Sequence, residues 1–287
     1  MLKTKQKIKL AHLAQTMVMG ARKLAGRNAA TQTRRHGIAW DLDLNEGIDF
    51  SIWLLGSFEP ETVRCHQAIV RQGDIVLDIG ANIGAHTLFL AQEVGPTGKV
   101  IAFEPTDYAF AKLRRNVAIN PALAGRIQCL QFLLGDTDEP DAPAKSLYSS
   151  WPLKDEIGTH HLHQGRLMTT KGARTHRLDS AIAALGLEHV DCIKLDIDGA
   201  ECSMLAGARE VLLRWQPIII MELAPYVLEE KGTSLGVLVQ LLKDYGYCLT
   251  DAGNGKSLEM DPVALQALIP AGASLNVVAR PVAMPVL

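Results

Sequence analysis

Residues 74–84 read DIVLDIGANIG. The run IVL at 75–77 is short and apolar, which is typical of a buried strand. Asp78 stands at the carboxyl end of that run, and GANIG at 80–84 turns the chain toward a helix beginning near residue 85. A strand, a glycine-rich turn and a helix in this order form the cofactor cradle of doubly wound α/β proteins.

The turn departs from the dinucleotide-binding pattern at its centre. In G-x-G-x-x-G the middle glycine lets the backbone approach a pyrophosphate, and here that position is Asn82. Asp78 would repel a diphosphate, but it suits a cofactor that presents an amine and carries positive charge. Glu104 ends the next apolar run, where a carboxylate can accept hydrogen bonds from both ribose hydroxyls. The pattern therefore favours S-adenosylmethionine over NAD.

Composition restricts the class of protein. The chain has 287 residues, is 48% hydrophobic and carries a net charge of −2, so it can bury a large core and is not a protein that coats nucleic acid through its overall charge. The five cysteines form no C-x-x-C pair, which predicts buried thiols in a reducing cytoplasm. No apolar run approaches the roughly 20 residues of a membrane-spanning helix.

The N-terminal region is the exception to this balanced charge. Residues 1–40 contain nine Lys or Arg and no acid, and apolar residues recur there at helical spacing: Leu10, Leu13, Met17, Ala21 and Leu24. The pattern predicts a basic amphipathic helix. Residues 1–27 either contact an anionic membrane or an acidic partner, or pack on their own domain with the charges in water. We favour the second interpretation.

Strands and helices alternate from residue 75 onward, which predicts a mostly parallel sheet with helices on both faces. The predicted strands are 75–79, 99–104, 127–134, 190–196 and 217–223, and the predicted helices are 85–94, 107–119, 201–214 and 234–245. Two further strands near 246–250 and 275–280 predict an antiparallel hairpin at one edge. Residues 38–60 are expected to form short strands and turns, followed by a helix to about residue 70.

These elements divide the chain into three parts: an extension (1–37), a cap (38–72) and a Rossmann-like domain (73–287). Residues 137–174 interrupt the alternation, and so long a connection after the third strand predicts a loop that covers the substrate. This loop contains His160, His161 and His163. They are candidate metal ligands, but we favour a solvated polar loop.

A second group of charged residues lies in DCIKLDIDGAE, residues 191–201. Lys194 and Asp196 alternate at a strand end and share one face, and the neighbouring first strand places Asp196 near the cofactor. Glu222 ends a later strand in a comparable position. Buried charges are costly unless they are paired, so a structural Lys194–Glu201 ion pair is an alternative. For Asp198 we favour a helix N-cap over a catalytic role.

Taken together, these motifs resemble the FkbM family of class I S-adenosylmethionine-dependent methyltransferases. The matching segments run in order from about residue 38 to 250: Trp40 with LDLNEGID, GSFEP at 56–60, DIGANIGAHT at 78–87, FEP at 103–105, RLDS at 177–180, KLDIDGAE at 194–201 and IIIMEL at 218–223. The family commonly has KIDVEGAE in the sixth segment, so Asp198 replaces a Glu. The resemblance implies a seven-stranded Rossmann-like sheet and methyl transfer to oxygen.

The resemblance also implies roles for particular residues. The methionine part of the cofactor would be held by Asp78, Gly80, Asn82 and Gly84. Glu104 would hold the ribose. Asp136 would approach the adenine amino group, and Phe58 and Glu59 would close over the cofactor.

For the chemistry, an alcohol acceptor needs a base. We predict Asp196 in this role, with His86 as the alternative, and Lys194 as the group that orients Asp196 or stabilises the developing alkoxide. A divalent ion on Asp196 and Glu222 would lower the acceptor's pKa instead, but we do not favour it. A carboxyl acceptor would need no base.

The predicted acceptor is a hydroxyl or carboxyl of a small molecule, sugar or secondary metabolite. Three other functions remain open. The first is a non-catalytic binding module that keeps only the fold, which the dense acids at 194–201 disfavour. The second is an NAD-dependent oxidoreductase. The third is a nucleic-acid methyltransferase that uses the basic arm, although no aromatic base-stacking motif accompanies KLDIDG.

Overall fold

The computed structural model describes residues 4–139, 141–153 and 165–282, with side chains from residue 10 onward. The chain begins with a long helix, an antiparallel strand pair and two shorter helices: α1 (Thr4–Leu24), β1 (Ala30–Arg35), β2 (Ile38–Asp43), α2 (Gly47–Leu55) and α3 (Pro60–Ile69). Helix α2 was not predicted. Its buried residues Ile48, Asp49 and Ile52 follow a helical spacing, so the expectation of short strands and turns over 38–60 is confirmed at β2 and wrong at α2.

The glycine-rich turn lies in the first part of the α/β domain. The elements there alternate as expected: β3 (Ile75–Ile79), α4 (Thr87–Glu93), β4 (Lys99–Phe103), α5 (Asp107–Ala118), α6 (Pro121–Ala124) and β5 (Ile127–Leu130). The strand predicted over 127–134 is in fact two strands, because the chain leaves the main sheet after Leu130.

The segment after β5 forms two small sheets beside the main one. Its strands are β6 (Phe132–Gly135), β7 (Ser146–Ser150), β8 (Arg166–Thr169) and β9 (Arg174–Arg177). Strand β6 pairs in parallel with β9, and β7 pairs antiparallel with β8. The predicted covering loop is therefore partly a β-hairpin, β7–β8. His160, His161 and His163 lie outside the described residues.

The second half of the domain completes the sheet. Its elements are α7 (Leu178–Leu185), β10 (Cys192–Leu195), α8 (Glu201–Ala206), α9 (Arg209–Trp215), β11 (Ile218–Leu223), α10 (Pro225–Glu230), α11 (Leu235–Asp244), β12 (Tyr247–Asp251), β13 (Ser257–Leu258), α12 (Pro262–Leu268) and β14 (Leu275–Pro281). The helix predicted over 201–214 is broken at Gly207. A Cβ there would lie 1.9 Å from the carbonyl oxygen of Gly135, so the backbone of β6 packs directly on the break.

In the described residues the main sheet has the strand order β13-β12-β14-β11-β10-β3-β4-β5. The five strands from β11 to β5 are parallel, and β14 is antiparallel to β11 and β12. The predicted seven-stranded sheet with an antiparallel edge is confirmed, with the two-residue β13 added beyond it. The strand order reverses between β3 and β10, and open α/β sheets bind ligands at such a switch point.

Apolar side chains fill both faces of this sheet. Leu77 belongs to the core on one face and Val76 to the core on the other, which explains why β3 has a continuous apolar run rather than an alternating one. All five cysteines are free thiols; Cys65, Cys192 and Cys202 are buried as predicted, whereas Cys129 and Cys248 are half-buried. No helix among the described residues has the length and apolar character needed to cross a membrane.

Helix α1 packs on the domain, but through a face other than the predicted one. Ala11, Ala14 and Val18 contact the core on the Val76 side, and buried Gln15 donates from its amide to the carbonyl oxygen of Leu44 at 3.3 Å. The larger apolar residues that define the sequence pattern point away from the domain.

Candidate active site

The glycine-rich turn is held against the end of β4. The N–H groups of Gly80 and Ala81 both donate to the carbonyl oxygen of Phe103 at 3.0 Å. Gly80 has φ +82° and Gly84 has φ +90°, a left-handed region in which residues with a side chain are strained. Asn82 adopts φ +49°, which asparagine tolerates better than most residues.

Asp78 is fully buried at the end of β3. Its Oδ2 accepts a hydrogen bond from the Thr87 hydroxyl at 2.6 Å. Its Oδ1 has no hydrogen-bond partner among the described residues, although the Lys194 ammonium lies 3.8 Å away. Burial raises the pKa of the Asp78 carboxyl, and the charge of Lys194 opposes that rise. An unpaired buried acceptor is costly, so Oδ1 is a position for a ligand or a water to donate a hydrogen bond.

Lys194 joins the two acidic strand ends. It lies opposite Asp78 in the parallel β3–β10 pair, and its buried ammonium is 3.2 Å from Asp196 Oδ2 and 3.4 Å from the carbonyl oxygen of Gly80. Burial lowers the pKa of Lys194, but Asp196 and Asp78 outweigh this effect and the pKa is raised. Lys194 is therefore a fixed cation beside the glycine-rich turn.

Asp196 is the accessible member of this group. Its side chain is 32% exposed, and its backbone follows the end of β10, where its N–H donates to Ile79 O at 3.1 Å. A carboxylate that is partly open to solvent and paired with a buried lysine is placed to meet an incoming polar group.

Two further acids, Asp198 and Glu201, follow Asp196 in the chain. The carboxylate of Glu201 accepts from the N–H groups of Gly199 at 3.2 Å and Ile197 at 3.4 Å, so Glu201 closes the turn rather than pairing with Lys194. Asp198 has φ +49°, and the N-cap position of α8 is Ala200, with no side-chain cap. The N-cap role predicted for Asp198 is therefore wrong.

His86 lies at the start of α4 and is buried. Neither of its ring nitrogens has a hydrogen-bond partner among the described residues, and Nε2 is 3.8 Å from Glu59 Oε2. Phe58 packs edge-on against the ring, with the centroids 6.2 Å apart. Burial lowers the pKa of His86, and the nearby charges of Lys194 and His66 lower it further. His86 is thus a neutral imidazole beneath Phe58 and Glu59.

A second buried histidine stands behind His86 and was not identified from the sequence. The rings of His66 and His86 are perpendicular, with centroids 5.6 Å apart. His66 Nδ1 is 2.7 Å from the carboxylate of Glu93, and its Nε2 has no partner among the described residues. An isolated histidine in an amphipathic helix carries no pattern that would distinguish it from a core residue.

Glu104, the predicted ribose ligand, is buried with its carboxylate already hydrogen-bonded. Oε2 accepts from the Asn82 N–H at 3.0 Å. Oε1 accepts from the N–H and the hydroxyl of Thr106 at 2.9 and 2.5 Å, and the Ser149 hydroxyl lies 3.4 Å away. Burial raises the pKa of Glu104, and these hydrogen bonds oppose the rise. The acceptor positions that would suit a ribose diol are therefore shared with protein hydroxyls.

Ser149 belongs to the β7–β8 hairpin, which spans from this cradle to the N-terminal cap. The hydroxyl of the next residue, Ser150, donates to the Glu46 carboxylate at 2.7 Å, and Arg166 lies 3.3 Å from the same carboxylate. The Gly47 N–H donates to the carbonyl oxygen of Trp151 at 2.8 Å. The hairpin therefore covers the Glu104 side of the site and is anchored at both ends.

Asp136 lies at the end of β6, beside the main sheet. The third strand of the main sheet ends at Leu130, whereas Asp136 follows β6 in the small β6–β9 sheet. Asp136 is exposed, and its N–H donates to the hydroxyl oxygen of Ser203 in α8 at 3.2 Å. The strand predicted over 127–134 is thus divided before Asp136, and the adenine contact that the resemblance implies for Asp136 stays a prediction.

Glu222 lies at the end of β11 and forms a short hydrogen bond with the Ser274 hydroxyl. Burial raises its pKa well above the ordinary value, and the charges of Asp196 and Glu59 raise it further. Among the described residues no group of three or more His, Cys, Asp or Glu has the arrangement of a metal site. Asp196 and Glu222 share an electrostatic environment, and metal binding by this pair stays an unfavoured prediction.

The residues at this sheet edge fit S-adenosylmethionine. Asp78 supplies an unpaired acceptor for a donor group, Gly80 leaves the turn without a side chain, and Glu104 stands at the neighbouring strand end. Together with the strand order of the sheet, this site defines a class I S-adenosylmethionine-dependent methyltransferase.

Comparison with known proteins identifies the family to which this chain belongs. Residues 78–249, more than half of the chain, match the family model described as the methyltransferase FkbM domain. The chain belongs to this family, as its motifs predicted, and it is a methyltransferase rather than an NAD-dependent oxidoreductase.

Two sequence relatives agree with this assignment. The 31-O-demethyl-FK506 methyltransferase FkbM of Streptomyces tacrolimicus is 29% identical over 215 residues, covering 65% of this chain and 78% of that protein. The 2-O-methyltransferase NoeI of Sinorhizobium fredii is 26% identical over 201 residues, covering 64% and 79%. The crystal structure of methyltransferase FkbM from Methylobacillus flagellatus has 16% identity and a TM-score of 0.44, covering 76% of this chain and 50% of that one.

Proposed function

We propose that this protein transfers a methyl group to a hydroxyl oxygen of a small molecule, such as a sugar or a secondary metabolite. The observation that carries the proposal is the Asp196 carboxylate, which is 32% exposed and paired with buried Lys194 at the switch point of the sheet. The names of two relatives, a 2-O-methyltransferase and a 31-O-demethyl-FK506 methyltransferase, support oxygen as the acceptor atom.

The protein's part in this reaction is to hold the acceptor and take its proton. When bound, S-adenosylmethionine supplies a methyl group on a positively charged sulfur, which is a good leaving group. Asp196 accepts the proton of the acceptor hydroxyl as the oxygen attacks, because an alcohol is a poor nucleophile until that proton is removed. Lys194 keeps the Asp196 carboxylate oriented and offsets the negative charge that develops on the oxygen.

His86 is the second candidate base. Its neutral ring can accept a proton, and both ring nitrogens are unpaired among the described residues. However, burial lowers its pKa, so it is a weaker base than an ordinary histidine, and Phe58 and Glu59 lie above it. An acceptor would have to pass beneath these two residues to reach it.

The test compares Asp196→Asn with His86→Gln, using labelled methyl transfer to a panel of sugars, alcohols and carboxylic acids. With a hydroxyl acceptor, Asp196→Asn should lower kcat by about 10²- to 10⁴-fold and leave S-adenosylhomocysteine binding within about twofold, since an amide keeps the shape of the carboxylate. Glu188→Gln, at an exposed position, is the matched control and should keep full activity.

Three results would contradict the proposal. One is an Asp196→Asn enzyme that turns over hydroxyl acceptors at the wild-type rate. Another is transfer to carboxylic acids only, which needs no base. The third is transfer to RNA with a steep dependence on salt, the signature of phosphate contacts, which would assign the basic N-terminal region to a nucleic-acid substrate.

A further inference from the structure

The outward face of helix α1 is an unusual surface for this protein. Four large apolar residues on it are between 58% and 93% exposed: Leu10, Leu13, Met17 and Leu24. Their spacing of three, four and seven residues places them in one line along the helix. We call these four residues the apolar stripe. Contiguous exposed apolar surface of this kind marks an interaction site.

The stripe is exposed even though helix α1 is docked on the domain. The opposite face of α1 already packs on the domain through Ala11, Ala14 and Val18, and the buried Gln15 amide is hydrogen-bonded to Leu44 O. At the end of the helix the Arg22 guanidinium lies 5.9 Å from the centre of the Trp53 ring. The helix is therefore anchored on one side, and the stripe is a second, free side.

Positive charge lies near the carboxyl end of the stripe, where Arg22, Lys23 and Arg27 follow one another in the chain. The first 40 residues contain nine Lys or Arg and no acid. Near the end of α1, two cations and one acid, Lys23, Arg27 and Asp43, line a cleft of about 740 Å³ together with Met19 and Ala29. A ligand at this surface must accept apolar side chains and carry negative charge at the same time.

We propose that α1 docks this methyltransferase on an anionic phospholipid surface, with the apolar stripe entering the acyl boundary and Lys23 and Arg27 contacting headgroup phosphates. A membrane surface of this kind satisfies both requirements. A second copy of the chain docked through the same surface would bring Arg22, Lys23 and Arg27 against the same three cations and be repelled. A nucleic acid would use the cations but leave the stripe in water.

The test is co-sedimentation of the full chain with vesicles of phosphatidylcholine alone and of phosphatidylcholine mixed with phosphatidylserine. Wild-type protein should bind the mixed vesicles only. The triple substitution Leu10→Gln, Leu13→Gln, Met17→Gln should weaken that binding at least about tenfold. The double substitution Lys23→Gln, Arg27→Gln should weaken it about fivefold for each cation removed and reduce its dependence on salt.

A matched control is available on helix α12, where Val263 and Leu268 are 77% and 55% exposed. Val263→Gln, Leu268→Gln should bind mixed vesicles as the wild type does. Because all these positions are exposed, the variants should keep the wild-type melting temperature and S-adenosylhomocysteine affinity, which separates lost docking from lost folding.

The proposal is overturned if the triple variant binds mixed vesicles as tightly as the wild type, or if the control loses binding to the same degree. It is also overturned if the wild type binds neither type of vesicle but forms a dimer that the triple variant does not form, since the stripe would then be a protein interface.

Discussion

The carbonyl oxygen of Asp196 occupies the space that a side chain on Gly80 would need. An ideal Cβ on Gly80 would lie only 1.8 Å from that oxygen. The glycine-rich turn after β3 and the acidic segment after β10 are thus in direct backbone contact, although 116 residues separate Gly80 from Asp196 in the chain. The cofactor cradle and the proposed base are held in place by the same contact.

Replacing Gly80 with alanine should therefore disrupt both the cofactor cradle and the position of Asp196. Part of the cost is the left-handed backbone, roughly 1–2 kcal/mol for a residue with a side chain, and the clash with Asp196 adds about 1–3 kcal/mol. Gly246→Ala is the control, because Gly246 has φ +77° and nothing within 4 Å of its Cβ position. Urea unfolding should show a larger loss for Gly80→Ala, which should also abolish S-adenosylhomocysteine binding. Equal losses would mean that the contact has no energetic role.

Among the described residues, the Thr87 hydroxyl is the side-chain donor that hydrogen-bonds to the Asp78 carboxylate. Thr87→Val keeps the shape of the side chain but leaves the Asp78 carboxylate without that donor, which should lower the free energy of unfolding by about 1.5–3 kcal/mol. Thr87→Ser keeps the hydroxyl and should cost less. Urea unfolding of the two variants checks this, and a serine variant as unstable as the valine variant would show that the methyl group, not the hydroxyl, is what matters.

His86 should make stability depend on pH in a defined direction. Its pKa is lowered from 6.5 by burial and by the charges of Lys194 and His66. Below pH 6.5 the unfolded chain therefore binds a proton that the folded protein does not, so stability falls as the pH falls. Relative to His86→Gln, the wild type should lose up to about 1.4 kcal/mol for each pH unit in that range.

The measurement is urea unfolding of the wild type and His86→Gln across this range of pH. His189→Gln provides a control, because the side chain of His189 is 53% exposed, and this substitution should not reproduce the trend. A difference between wild type and His86→Gln that stays constant with pH would contradict a neutral, buried His86.

Ser149 should compete with the cofactor's ribose for Glu104. Its hydroxyl lies 2.7 Å from Thr106 Oγ1 and 3.4 Å from Glu104 Oε1, where it uses acceptor capacity that a ribose diol needs. Ser149→Ala should tighten S-adenosylhomocysteine binding by about 2- to 10-fold, the range that one neutral hydrogen bond spans. Titration calorimetry measures this, and Ser146→Ala, at the exposed start of the same strand, should leave the affinity unchanged. Weaker binding by Ser149→Ala would show that Ser149 helps to hold the cofactor.

Much of the fold could be predicted because its signals are local. The β3 strand is buried on both faces, so its apolar run is continuous, and Gly80 is required by its left-handed backbone. The position of Asp136 could not be predicted in this way. Six of the eight residues from 127 to 134 are apolar, and the sequence does not reveal that the chain leaves the main sheet after Leu130 to pair with β9.

The candidate active site shows the same difference between residues with a local sequence signal and residues without one. Asp78, Glu104, Lys194 and Asp196 were found from the sequence because charged residues at the ends of apolar strands are costly and therefore conspicuous. Their supporting residues were not. Ser149 reaches Glu104 from a hairpin 45 residues further along the chain, and His66 stands behind His86 without any motif around it.

The amino-acid sequence by itself determined the alternation of the main-sheet strands with helices, the cofactor cradle and the family, because apolar runs, glycine turns and charged strand ends are properties of short segments. Only the tertiary structure decided what those segments meet: that Gly80 packs on the backbone of Asp196, that Ser149 shares Glu104, and that α1 turns its small residues inward and its apolar stripe outward. These are contacts between distant parts of the chain, and their energies depend on packing and burial that no short segment specifies.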